Sequence, residues 1–235
     1  MGNFSENNTR KDTLSCPLCN YYRTRTFYSS RLKNLERDYL RCHRCDLIFV
    51  PRQFHLSPEL EKTRYREHNN HPYDPKYRKF LSKLYDELVP HLTSGSKGID
   101  YGSGTGPALV TMLEETGFEM QTYDLFFQPD RSVLSKPYHF ITCTETAEHF
   151  ANPKLEFQTL DSMLEPGGWV GIMTSILKDT TQFPCWHYHR DPTHIAFYSE
   201  RTMHFIAGMF HWEIFFPREN IVLFQKTNRG THTTT

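Results

Sequence analysis

Residues 99–110 read IDYGSGTGPALV: an apolar residue, an acid, alternating glycines, a proline, and then apolar residues at helical spacing. Such a turn joins a strand to a helix and invites a ligand, so the residues around it decide which one. The glycines are Gly102, Gly104 and Gly106. A dinucleotide fingerprint wants its third small residue at position 107, which is Pro107 here. A Walker loop wants Gly-Lys-Ser/Thr, and no lysine follows the turn. A phosphate cradle is therefore poorly supported.

Two acids point to a different ligand. Asp100 stands just before the turn, where a carboxylate repels a pyrophosphate and tolerates an ammonium group. Asp124, 24 positions later, ends the next apolar stretch, where a carboxylate accepts hydrogen bonds from ribose hydroxyls. An adenosine, a sulfonium and an amino-acid end satisfy both, and S-adenosylmethionine carries all three.

At these residues the chain resembles the class I S-adenosylmethionine-dependent methyltransferases. DYGSGTG (100–106) is similar to their first motif and Tyr123-Asp124 to their ribose acid. YHFITCTETAEHFANP (138–153) is similar to the strand whose end lines the active site, and LEPGGWVGIMT (164–174) to the helix-turn-strand that follows. The resemblance covers residues 75–226. It implies a cofactor held by Asp100, Gly102, Gly104, Gly106, Asp124 and Thr144. One departure is visible. Only about a dozen residues separate Asp124 from the strand at 138–144, so the usual intervening strand is shortened or lost, and Phe126 or Phe127 walls the adenine pocket instead.

The surrounding pattern alternates strand and helix. PKYRKFLSKLYDELVPHL sets Phe80, Leu81, Leu84, Tyr85 and Leu88 at helical spacing, with Pro75 in the first turn. Strand 97–101, helix 107–116 with Gly117 as its cap, and strands at 118–124 and 138–144 follow. A helix over 152–164 ended by the turn EPGG, a strand at 169–176, a helix over 199–210 and a hairpin around PREN complete the series. The expected class is α/β: a Rossmann-like, mostly parallel sheet with a C-terminal antiparallel hairpin. The expected domains are a disordered start (1–12), a ribbon (13–51), a weakly helical linker or lid (52–74), the methyltransferase domain (75–227) and a disordered tail (228–235).

With 235 residues the chain suits one α/β domain plus a small appendage. Lys+Arg and Asp+Glu both number 27, so no global basic field recruits nucleic acid. No apolar run reaches the roughly 20 residues of a membrane helix. The polar start is not that of a signal peptide, and Glu6 stands where a myristoylation pattern wants Ser or Thr. No membrane partner is expected.

Four of the six cysteines form Cys16-x2-Cys19 and Cys42-x2-Cys45, separated by 22 residues. Two such knuckles can set four thiolates tetrahedrally, as structural zinc prefers, and they stabilise a segment of too little core to fold alone. The arrangement resembles a zinc ribbon. A redox pair needs only one such motif beside a βαβ unit. Reduced, metal-binding cysteines suit the cytoplasm. Cys143 and Cys185 read as small buried hydrophobes.

For the acceptor, basic residues with aromatics between them at 23–41 suggest RNA, but the balanced charge and the acidic run PELEKTRYRE (58–67) speak for a solvated ribbon face. The tetrapeptides of amino-methylating enzymes are absent. Glu145, Glu148 and His149 resemble the ExxEH segment of the ubiquinone-pathway O-methyltransferases. They also resemble that of small-RNA 2′-O-methyltransferases, where with a later histidine it holds a divalent metal. WHYHRDPTH offers His187, His189 and His194. Catalysis is therefore assigned to Glu145, His149 and His194. A second divalent metal on Glu145, Glu148, His149 and His194 is one reading; a metal-free base, His149 or His194, is the other. The expected reaction is O-methylation of a small-molecule acceptor. RNA methylation through the ribbon, or a non-catalytic cofactor-binding module, are the alternatives. The oligomeric state is not legible.

Overall fold

The computed structural model describes residues 14–67 and 71–228. The expected disordered start (1–12) and nearly all of the expected tail lie outside them. The chain opens with a loop carrying the first cysteine pair, then β1 (Thr24–Ser30), β2 (Arg37–Cys42) and β3 (Ile48–Phe49), all antiparallel. Each cysteine pair closes in the same way. Asn20 N donates to Cys16 O and Asp46 N to Cys42 O, and both residues take the left-handed conformation (φ 55° and 69°). Asn and Asp are the side chains that bear that conformation best after Gly, so the two knuckles repeat for a backbone reason.

The linker holds a nine-residue helix, α1 (Pro58–Arg66), capped by the Ser57 side chain on Leu60 N. None of its residues is buried, which is why its apolar signal is weak in the sequence. Helix α2 (Pro75–Leu88) starts at an Asp74 cap and buries Leu81, Leu84 and Leu88.

The central sheet follows: β4 (Lys97–Tyr101), α3 (Ala108–Glu114), β5 (Glu119–Tyr123), β6 (Tyr138–Thr144), α4 (Pro153–Met163) and β7 (Leu164–Met173). The two-residue β8 (Ala196–Phe197), α5 (Glu200–Phe210), β9 (Trp212–Arg218) and β10 (Ile221–Lys226) complete the chain. The six strands run in the order β5-β4-β6-β7-β10-β9, the first four parallel and the last two antiparallel. Leu81, Leu84 and Leu88 of α2 share one core with Ala108, Leu109 and Leu113 of α3. Phe157 and Leu160 of α4 share another with Met203 and Ile206 of α5. The result is the doubly covered sheet that strand–helix alternation implies.

Of three local expectations, one changes and two are met. The segment EPGG is not a free turn: it opens β7, with Gly167 at φ 80° and a register shift where β6 pairs with it. Gly117 does end α3, at φ 91°, though helical geometry stops at Glu114. No strand lies between β5 and β6. The chain folds back at an isolated Asp124–Gln128 bridge and passes through a 3-10 turn, Arg131–Ser135.

The ribbon is not separate from the rest. β8, which lies more than 140 residues after β3, pairs with it antiparallel (Ile48 with Phe197, Phe49 with Ala196). Cys16, Cys42 and Cys45 share a buried core with Ile141, Phe157 and Tyr198. The segment 13–51 thus borrows a strand and a core, which answers its own shortage of apolar area.

Candidate active site

At the carboxyl ends of β4, β5 and β6 lies a cavity of about 660 Å³. All ten residues assigned from sequence to cofactor, catalysis or a second metal line it: Asp100, Gly102, Gly104, Gly106, Asp124, Thr144, Glu145, Glu148, His149 and His194.

One half is made by the glycine turn. Gly102 (φ 86°) needs its missing side chain twice over, because a Cβ there would lie 2.2 Å from Thr146 Cγ2. Gly102 N and Ser103 N both donate to Tyr123 O, which ties the turn to the end of β5. Asp124 then accepts from Gly104 N at 2.9 Å through Oδ2, and from Phe126 N and Phe127 N at 2.8 and 3.0 Å through Oδ1. A carboxylate has roughly four acceptor positions, so about one remains for a ribose hydroxyl. Asp100 is buried and accepts from Thr142 Oγ1 at 2.6 Å. Desolvation, with the charge of Asp124 adding to it and Thr142 opposing, pushes its carboxyl up to about 6. Ser103 Oγ is buried without a hydrogen-bond partner. Phe126 and Phe127 both line the cavity where the strand is missing.

The other half is built from side chains of distant segments. Glu148 is fully buried in the 3-10 turn Ala147–His149; its Oε2 accepts from Thr174 Oγ1 at 2.8 Å, while Oε1 has no partner. His149 Nδ1 meets Thr193 O at 2.9 Å and His194 Nδ1 meets Tyr188 O at 2.7 Å. A carbonyl only accepts, so both Nδ1 atoms carry a proton, and a ring in its neutral form has its lone pair on Nε2. Burial lowers the pKa of His194, which favours that neutral form. The ring centroids are 4.9 Å apart, and ligand atoms of Glu148, His149 and His194 lie within 4.8 Å of one another. Tyr65 of α1 packs its ring 5.1 Å from His149 and 5.8 Å from Phe126, so the linker helix roofs this end.

Several sequence-predicted residues do not gather as expected. Glu145 sits at φ 47°, before the turn rather than in it, and is not part of the three-residue cluster. Its carboxyl is open to the cavity yet ringed by protein; desolvation, then the charge of Glu148, push it up to about 8. Of the three later histidines only His194 reaches the cavity. His187 is exposed, and His189 is buried against Tyr39 and Phe183 of the ribbon side. Cys143 is buried as expected, whereas Cys185 is exposed, because it falls in a 3-10 segment at the surface. Tyr65, Asp191 and the ribbon residue Arg37 carried no sequence signal, since each meets the site across a long chain separation.

The four ribbon thiols form a second cluster. Cys16 Sγ lies 3.5 Å from Cys45 Sγ and Cys19 Sγ 3.5 Å from Cys42 Sγ, far beyond a disulfide bond. A zinc tetrathiolate with Zn–S near 2.3 Å has S···S edges of about 3.8 Å, so the set fits zinc with a small expansion. Without a cation the thiols must share protons. Hydrogen bonding from Cys45 lowers Cys16 to about 6, while desolvation pushes Cys19 up to about 12.

In comparisons with known proteins, a family described as a methyltransferase domain matches residues 73–212. No curated protein matches the chain in sequence. Among solved structures, a Galdieria sulphuraria protein described provisionally as a sarcosine dimethylglycine methyltransferase is 16% identical, with 66% of this chain and 74% of that one covered (TM-score 0.47). Human N-acetylserotonin methyltransferase in complex with S-adenosylmethionine is 10% identical, covering 64% and 53% (TM-score 0.46). Phosphoethanolamine N-methyltransferase 2 of Haemonchus contortus, also with S-adenosylmethionine, is 14% identical, covering 66% and 42% (TM-score 0.44). The chain thus spans about half or less of the last two. At these scores none of the three carries an argument about this chain, and the family match over most of the catalytic fold does. With its glycine turn, its strand-end acids and that match, the chain belongs to the methyltransferase domain family and is an S-adenosylmethionine-dependent methyltransferase.

Proposed function

We propose that the chain O-methylates a small metabolite, with the acceptor hydroxyl presented to Glu148, His149 and His194. The observation that carries this reading is the cluster of Glu148, His149 and His194, with ligand atoms within 4.8 Å of one another, both Nδ1 atoms on backbone carbonyls and Glu148 Oε1 buried without a partner. Two neutral imidazoles with backbone carbonyls behind them and one carboxylate form the ligand set of a divalent cation with open positions. Such a cation lowers the pKa of a bound hydroxyl. S-adenosylmethionine supplies an electrophilic methyl and, on our reading, lies across Gly102–Gly106 with its ribose toward Asp124 and its ammonium toward Asp100.

The chain's own residues then divide the work. Where a cation would occupy both Nε2 atoms, the acidified hydroxyl would lose its proton to solvent or to a cavity carboxylate; without a cation, His149 or His194 takes that proton on Nε2. The oxygen–methyl bond forms as the sulfur–methyl bond breaks, and sulfur keeps the electron pair. Tyr65 packs over the half-buried His149 ring and shields the acceptor end from water. Of the expected set Glu145, Glu148, His149 and His194, our reading keeps the last three as cation ligands and leaves Glu145 as a cavity carboxyl beside them.

Charge favours a small acceptor over RNA. Seven acidic residues line the cavity against one arginine, Arg131, a field that repels a polyphosphate. Among the described residues no helix is long and apolar enough to cross a membrane. The ribbon's reduced thiols are consistent with a cytoplasmic enzyme. The test is methyl transfer from labelled S-adenosylmethionine into separated small-metabolite and RNA fractions of a cell extract. Label in hydroxyl-bearing small molecules, lost with a chelator, is the expected result. Label in RNA overturns the acceptor class, and turnover indifferent to the chelator removes the cation and leaves the histidines as base.

A further inference from the structure

The loop that presents His194 has short-range bonds of its own around Asp191, from His194 N to Asp191 O and from Thr193 N and Oγ1 to Asp191 Oδ1. The ribbon grips it from outside. Arg37, at the start of β2, is 4% exposed and forms no ion pair among the described residues. Its guanidinium donates to Pro192 O through Nη1 at 2.8 Å, and to His189 O and Asp191 O through Nη2 at 2.8 and 2.9 Å. Its Nε donates to Tyr39 Oη at 2.8 Å, and that hydroxyl in turn lies 3.0 Å from His189 O. Immediately outside these anchors on either side, Tyr188 O and Thr193 O receive His194 Nδ1 and His149 Nδ1. At the next residue Val50 N donates to Ile195 O, while Ile195 N donates to Glu148 O.

A buried guanidinium without a counter-charge is costly, and only a full set of acceptors offsets it. Here every acceptor but one is a main-chain carbonyl of the loop. Those contacts fix the peptide plane that follows Tyr188 O and the one that precedes Thr193 O, the two carbonyls that choose the histidine tautomers. We propose that Arg37 is a positioning residue for the acceptor site: through the carbonyls of 189, 191 and 192 it holds the loop that keeps His149 and His194 protonated on Nδ1. The ribbon is then the back wall of the acceptor half of the cavity rather than a separate docking module. This rests on the reading that the two histidines handle the acceptor, but the contacts tested do not depend on it.

The experiment compares Arg37→Ala and Arg37→Lys with the wild type and with Arg25→Ala, an exposed ribbon change. Long-range proton–nitrogen spectra of the imidazoles report the tautomers of His149 and His194. Hydrogen exchange reports the loop, and calorimetry with S-adenosylhomocysteine reports the other half of the cavity. The wild type and Arg25→Ala should show Nδ1–H on both rings. Arg37→Ala should show mixed tautomers and loop exchange faster by about tenfold or more, with cofactor-product affinity within about twofold. Lysine keeps the charge without the fork, so it should keep the fold and still lose the tautomers. Unchanged tautomers and exchange in both variants overturn the proposal, as does loss of S-adenosylhomocysteine binding in both, which would mark a global rather than a positioning role. If the protein methylates another group or binds no second metal, the wild-type tautomers and the Arg37 comparison stay as they are, so the two failures are distinguishable.

Discussion

The two halves of the cavity are built on opposite plans. The cofactor half comes from two short segments, 100–106 and 123–127, and its hydrogen bonds are made mostly by backbone amides to Tyr123 O and to the Asp124 carboxylate. The acceptor half comes from α1, the 3-10 turn at 147–149, the loop before β8, and behind it the ribbon. Its chemistry resides in side chains whose orientation depends on contacts across 40 to 150 residues of chain. A local, backbone-made half should tolerate distant damage; an assembled, side-chain half should not.

The strongest way to break that contrast is to unmake the ribbon. Protein purified without added metal should contain about one zinc per chain, and Cys42→Ser should lose it, because folding of a small four-cysteine unit is driven by its metal. The melting temperature should fall and exchange in 186–195 should rise, with a smaller change in S-adenosylhomocysteine affinity. Equal loss in both halves erases the distinction, and elemental analysis with calorimetry reads both.

Next in size is the acceptor cluster. His149→Ala and His194→Ala should each lower turnover by about 10²–10⁴-fold, the range for removing a positioned base, with cofactor-product binding little changed. Glu148→Gln should act similarly only if a cation is held. Full activity of both histidine variants, measured on whichever acceptor the extract screen yields, removes the site.

A third comparison concerns Asp100, a buried carboxyl that we propose faces the ammonium of the cofactor. Its folded-state pKa, about 6, lies above its ordinary 3.8, so the folded protein binds the extra proton between those values. Stability of the cofactor-free protein should therefore fall as pH rises from about 4 to 6, by on the order of 3 kcal/mol. Asp100→Asn should flatten that slope and raise stability at pH 7, yet weaken S-adenosylhomocysteine by removing the partner of its ammonium. Urea titrations at several pH values check the first part; an unchanged slope in the variant assigns it to other groups.

Asp124→Ala gives the smallest effect. Losing the ribose acceptor should cost about 1–3 kcal/mol of S-adenosylhomocysteine affinity, and the lower end is expected because three backbone amides already occupy the carboxylate. The same change frees Gly104 N, so part of any loss will come from a looser turn. Unchanged affinity by calorimetry would remove Asp124 from the ribose.

What the sequence by itself determined is the part whose signal is local. Glycine spacing at 102–106, helical apolar patterns such as Leu81, Leu84 and Leu88, and the paired CxxC motifs each act within a few residues of chain, and each appears in the structure where its pattern lies. Tertiary structure alone decided the acceptor half. That His194 rather than His187 or His189 faces the cavity follows from the grip of Arg37, Tyr39 and Val50 on the loop. That Glu148 rather than Glu145 clusters with the histidines is likewise tertiary: Glu145 stands in the left-handed conformation before the 3-10 turn that carries Glu148 and His149. Neighbours along the chain state their preference through backbone geometry and side-chain periodicity. Partners 150 residues apart meet only because burying a strand, a core and a guanidinium together is favourable once the whole fold exists, and no local pattern records that sum.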